Sequence, residues 1–283
     1  MKTLAIQEET NIFAALESID QTAALEAFSV GGLANRIADL IPSLTHAAQQ
    51  AFTKYTSDKY DLKPLNFNTM ILKKATDKAT YMSVSPFQVY VPKGFQGNMK
   101  DYATALGLST DFVNGIVERM TAFNTLVSAV ISDKATRQSV RNLAIATNEQ
   151  QKQRLEIAEA LRGFKNAQSR RDRMKLGEVY RSLGEMNDVA AMTDEILRAT
   201  STVQMNDIER LIKDASELLE VLSTASQEGS LSGLTPEVLQ SISSSTLTIA
   251  RDVELYSIVM FEASELKNAV QDTAKEFIQA IRY

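Results

Sequence analysis

The sequence predicts an all-α protein: an elongated multi-helix bundle with long C-terminal helices and one small irregular or β-hairpin segment near residues 80–95. Three observations carry this. From about Asn148 to Tyr283 apolar residues recur at three- and four-residue intervals, the period of one helix face. The single proline in that half, Pro236, stands where a helix would begin. The breakers Pro64, Pro86, Pro92, Gly94 and Gly97 crowd instead into one stretch and exclude long helices there. The chain therefore divides into an N-terminal helical segment (1–56), an irregular segment with a short β element (57–97) and a long helical bundle (98–283).

The first helix starts at Thr10 as N-cap and runs to Phe28, with Gly31 and Gly32 as its stop. It repeats Ala14-Ala-Leu-Glu17 as Ala23-Ala-Leu-Glu26. Nine residues at roughly 100° each place the copies on opposite faces. A second helix runs from about Leu33 to Tyr55, kinked at Pro42 because proline removes a backbone donor, and His46 follows the kink. In the irregular segment, Tyr81-Met82-Ser83-Val84 and Phe87-Gln88-Val89-Tyr90-Val91 alternate with period two. They read as a short hairpin or an extended pairing strand.

Helix returns from Asn98 to Leu106, stops at Gly107 and restarts at Thr110 with Asp111 in its first turn. Phe112, Ile116, Met120, Phe123, Val127 and Val130 or Ile131 make that segment the candidate core helix. Ser132 with Asp133, and Thr147 or Asn148, read as further caps. Leu155, Leu161, Phe164, Leu176, Tyr180, Leu183, Met186 and Ile196 or Leu197 form a stripe interrupted at 168–173, where one helix crosses solvent or two helices meet. After Asn206, Ile208, Leu211, Ile212, Ala215, Leu218, Leu219 and Leu222 make an amphipathic helix, closed by a turn at Gly229 to Gly233. Thr235 then caps a final helix with Pro236 at its first position. Ile242, Ile249, Val253, Tyr256, Met260, Ala263, Val270, Phe277 and Ile281 step along it with the spacing of supercoiled packing. Val253, Tyr256 and Met260 are the candidate subunit seam.

Composition narrows the chemistry. The 283 residues hold no cysteine and one histidine, His46, so neither a disulfide framework nor a histidine–cysteine metal set can form. His46 reads as a polar helix residue. No Gly-x-Ser-x-Gly, Gly-x-Gly-x-x-Gly, P-loop or Glu-x-x-His pattern occurs, which leaves nucleophilic, nucleotide and di-iron chemistry unsupported. The expectation is no enzyme and no cofactor. The opening MKTLAIQEET has too short an apolar run for a signal peptide, and no run approaches the ~20 residues of a membrane span. The chain reads as soluble and made in a cytoplasm.

Net charge is only −5, but it is unevenly laid out. Residues 148–181 carry nine Lys or Arg against five acids, and residues 182–283 seven against seventeen. Arg162, Lys165, Arg170, Arg171, Arg173, Lys175 and Arg181 could contact phosphates, or pair with the acidic helices that follow. These are the candidate nucleic-acid or acidic-partner contacts.

The segment from Ala14-Ala-Leu-Glu-Ser18 through Ala27, together with the long helices, resembles the helical virion structural and internal head proteins of large tailed bacteriophages. In such phages prohead proteases cut after a glutamate that has a small or aliphatic residue two positions earlier. Ile6-Gln-Glu8, Ala15-Leu-Glu17, Ala24-Leu-Glu26 and Ser226-Gln-Glu228 have that form. The resemblance implies a non-enzymatic structural or assembly protein, located in the virion and made in the host cytoplasm. Its partners would be itself or other structural proteins, with the segment from Tyr81 to Gly97 contacting neighbours. The alternative is a nucleic-acid-associated helical protein using the basic 162–181 stretch.

Overall fold

Asn68 and Asn98 open two helices by the same device. Each sits in extended backbone and its side-chain oxygen accepts an amide of the first turn, Met70 N for Asn68 and both Lys100 N and Asp101 N for Asn98. The computed structural model describes residues 62–82, 84, 86–135, 137–166, 171–202, 205–227 and 235–282, with Pro42 and His46. In chain order the elements are α1 (Thr69–Ala79), β1 (Gln88–Tyr90), α2 (Met99–Asn114), α3 (Ile116–Ile131), α4 (Arg137–Arg162), β2 (Arg173–Lys175), α5 (Leu176–Val179), α6 (Leu183–Thr202), α7 (Met205–Gln227) and α8 (Pro236–Arg282). The all-α expectation holds.

The expected helices over 10–28 and 33–55 lie outside the described residues, apart from Pro42 and His46, which are both helical and exposed. The turn at Gly229 to Gly233 lies outside them too. Thr235 caps α8 as expected, its hydroxyl oxygen accepting from Val238 N at 3.4 Å.

Several local expectations give way to tertiary context. Gly107 does not stop the helix. The chain runs through it as α2 and breaks at Gly115, where an added Cβ would collide with the Arg119 guanidinium. Phe112 thus belongs to α2, while Ile116, Met120, Phe123, Val127 and Val130 form the buried face of α3. Ser132 and Asp133 end α3, with Asp133 in the left-handed region at φ 54°. Thr147 is no cap. It is buried within α4, its hydroxyl bonded to Leu143 O at 2.8 Å and within 2.9 Å of Ser245 Oγ. Leu155 is exposed, so the stripe beyond it is not continuous.

The expected local hairpin is also corrected. β1 pairs with β2, antiparallel, in the register Gln88 with Lys175, Val89 with Met174 and Tyr90 with Arg173. Just beyond, Asn166 N donates to Gly94 O at 2.7 Å and Gln96 N to Phe164 O at 2.9 Å. Gly94 has φ +72°, and a Cβ there would press on Asn166 O at 3.2 Å. Tyr81 and Met82 are exposed turn residues. Of the 168–173 interruption, the described residues Arg171 to Arg173 are not helical and lead into β2, and the rest lies outside the described residues.

α8 is the spine. Its 47 residues, at ~1.5 Å each, extend about 70 Å. Helices α1, α2, α3, α4 and α6 and strand β1 all pack on it, and a helix surrounded in this way must be apolar on more than one face. Leu239, Leu255, Val259, Leu266 and Ala274 are accordingly buried along with all nine residues of the expected stripe. α2 packs on α6, and α7 lies against α3 at the periphery. Leu62, Leu72 and Val89 of the irregular segment share one core with the helices.

Candidate functional site

The basic stretch does not stay together as one surface. Arg162 is exposed at the end of α4, Arg170 lies outside the described residues, and Arg171 and Lys175 are exposed on either side of the β2 centre. The others pair with acids, Arg173 and Arg181 at the surface and Lys165 inside the fold. Arg173 lies over the Tyr90 ring, 4.1 Å from its centroid, and reaches Glu276 Oε1 at 2.8 Å. Tyr90 OH donates to the same carboxylate oxygen at 2.7 Å. That hydrogen bond, with Glu276 acting as acceptor, raises the phenol pKa. Arg181 pairs with Asp101 and with Glu185.

Lys165 goes deepest. Backbone pairing of Phe95 with Lys165 brings its side chain against α8, where Nζ meets Glu262 Oε2 at 2.5 Å and donates to Lys93 O at 3.1 Å. Tyr102 OH donates to the same Glu262 oxygen at 2.5 Å. Burial pushes the Glu262 carboxyl up, against the pull of Lys165 and Tyr102, and pushes the Tyr102 phenol well above its usual value. Phe95 and Phe164 flank the Tyr102 ring with centroids 5.6 Å away. The cluster fastens two distant loops to the spine.

A second buried ionic group lies ten residues earlier on α8. Asp252 stands 3.4 Å from Arg119 Nε of α3 and 3.6 Å from Arg154 Nη1 of α4. These separations are long for ion pairs, and burial outweighs both guanidiniums, pushing Asp252 up to about 6. Arg119 also donates to Phe112 O at 2.9 Å, and the Gln150 amide oxygen, oriented toward it, accepts from Nη1 at 3.1 Å. A cleft of about 250 Å³ opens beside Arg119, lined by Ala122, Leu143, Thr147, Gln150 and Ser245.

The expected seam is corrected. Val253, Tyr256 and Met260 are 0–1% exposed within the single chain, because α8 is enclosed by its own neighbours. They are core.

An open groove of about 650 Å³ runs between α3 and α7. Thr121, Asn124, Thr125 and Ser128 face it from α3, and Leu211, Asp214, Glu217, Leu218 and Val221 from α7. Sequence reading missed this groove, and it missed Asp252 and Glu262 too. The available signal for the two acids was their position inside the apolar stripe of α8, Asp252 next to Val253 and Glu262 between Met260 and Ala263. Among the described residues no group of three or more His, Asp or Glu side chains is placed to hold a metal ion, and no helix is long and apolar enough to cross a membrane. No family model matches the chain, and neither a curated protein nor a solved structure matches it.

Proposed function

We propose that the chain is a non-enzymatic structural or assembly protein, a component of a tailed-phage virion that acts through contacts with itself or other structural proteins. The observation that carries the reading is the use made of α8. A 47-residue helix is packed along its length by five helices and a strand, and its Glu262 fastens Lys165 and Tyr102 to it. A continuous helix of about 70 Å can set the distance between partners bound at its two ends, a role that a small-molecule site does not require. The N-terminal resemblance to phage head proteins supplies the virion setting. The nucleic-acid alternative is weakened because Lys165 is drawn into the fold by Glu262, and the exposed Arg173 and Arg181 are paired with Glu276 and Asp101.

The test is the mass of the purified protein by size-exclusion chromatography with light scattering, at low and high salt, alone and with particle components. A discrete multimer or a stoichiometric complex supports the proposal. A monomer that joins no particle component, and instead binds nucleic acid with affinity falling steeply in salt, overturns it in favour of the alternative.

A further inference from the structure

The polar groups that line the groove between α3 and α7 are arranged as acceptors. Thr121 and Thr125 donate their hydroxyl protons to Val117 O and Thr121 O, each at 2.8 Å, which leaves oxygen lone pairs for anything that enters. Asn124 uses its amide nitrogen on Leu211 O at 3.1 Å, and its Oδ1 is buried, so this residue fixes α7 to α3 and is not itself an open acceptor. Asp214 and Glu217 add carboxylates from α7, the latter with the exposed Lys213 at 3.8 Å. α7 as a whole carries Asp207, Glu209, Asp214, Glu217 and Glu220 against Arg210 and Lys213. Between the polar groups, Leu211, Leu218 and the half-exposed Val221 give an apolar strip. The surface asks for a segment that brings cationic donors with some apolar contact, and it is accessible because α7 packs on α3 at the edge of the bundle.

The same chain carries such a segment. Arg171 and Lys175 are exposed around β2, with the half-buried Met174 between them, and neither cation enters an ion pair among the described residues. β2 packs on β1 and α5, away from α3 and α7, so its own groove is not its contact. We infer that the α3–α7 groove of one copy receives the Arg171–Lys175 segment of a second copy. The contact joins two different patches, so it is head-to-tail and can propagate into a ring or a filament. This rests on the assembly reading above and names its partner as the chain itself.

The test uses the full chain with two exposed-residue variants, both checked by circular dichroism for unchanged helix content. One is Asp214→Lys with Glu217→Lys. The other is Arg171→Ala with Lys175→Ala. Light scattering at low ionic strength should show the wild type associating and each variant associating at least about tenfold more weakly. Mixing the variants should give a complex of two chains only, since one supplies an intact segment and the other an intact groove. Wild-type multimers that persist in both variants overturn this contact but leave the assembly reading standing. A wild type that is monomeric at every concentration overturns the contact as well. The assembly reading then rests on a stoichiometric complex with particle components, and falls if none forms.

Discussion

Lys165 and Glu262, from a loop and from the middle of the spine helix, meet at 2.5 Å on the oxygen that Tyr102 OH also contacts. A residue of the basic stretch is thereby fixed inside the fold. Lys165→Met should leave Glu262 buried with only the phenol as partner and cost about 3–5 kcal/mol, the usual penalty for orphaning a buried charge. Adding Glu262→Gln should recover much of that loss by removing the charge. Urea melts of the single and double variants check this; a double variant as unstable as Lys165→Met would show that packing of the lysine stem, not the charge, is what matters.

Asp252 sets a pH dependence of unusual sign for an acid. Its folded pKa of about 6 lies above the ordinary value of 3.8, so between those values the folded state binds more protons than the unfolded one. Stability should therefore fall as pH rises from about 4 to 6, by at most roughly 3 kcal/mol for a shift of that size. Asp252→Asn, which mimics the protonated form, should flatten that slope and melt no lower than wild type at neutral pH. A strongly destabilised Asp252→Asn at pH 7 would mean that the pairs to Arg119 and Arg154 outweigh burial after all.

Tyr256 separates core from seam. With the side chain 1% exposed inside one chain, Tyr256→Glu buries an unpaired carboxylate and should cost more than about 4 kcal/mol. Helix content and oligomeric mass should be lost together. A well-folded but dissociated protein would restore the seam.

These residues show where sequence reading stops. Thr235, Pro236 and the stripe from Ile242 to Ile281 were legible because caps and the 3.6-residue period are local properties of the chain. Core and seam share that period, so Tyr256 could not be placed by it. The α1 helix was missed because it is short and lysine-rich between Pro64 and Pro86, with Asn68 as its one local signal. The pairing of Tyr90 with Arg173 depends on how α2 to α4 bring the two segments together, which no window around either residue contains. Asp252 and Glu262 look like solvent-facing charges until the neighbours that cover the middle of α8 are known. The α3–α7 groove is harder still, since it exists only in the packing of two helices whose own patterns are ordinary.

Asn98 joins two roles in one side chain. Its Oδ1 accepts from Lys100 N at 2.9 Å and Asp101 N at 3.1 Å, while Nδ2 donates to Val179 O at 3.1 Å and Glu185 Oε2 at 3.0 Å. The first pair starts α2; the second ties that start to the end of α5 and the first turn of α6. Asn98→Ala loses both, and should cost about 1–2 kcal/mol for the cap together with the penalty of a deprived carbonyl. Asn98→Asp keeps the cap but removes the donor and sets a carboxylate against Glu185. The aspartate variant therefore should be no better than the alanine variant at pH 7, and should recover when the new carboxyl is protonated at low pH. If Asn98→Asp matched wild type at pH 7, the tie to Val179 and Glu185 would contribute nothing, and the asparagine would be a cap alone. Thermal melts of the two variants across pH decide between these.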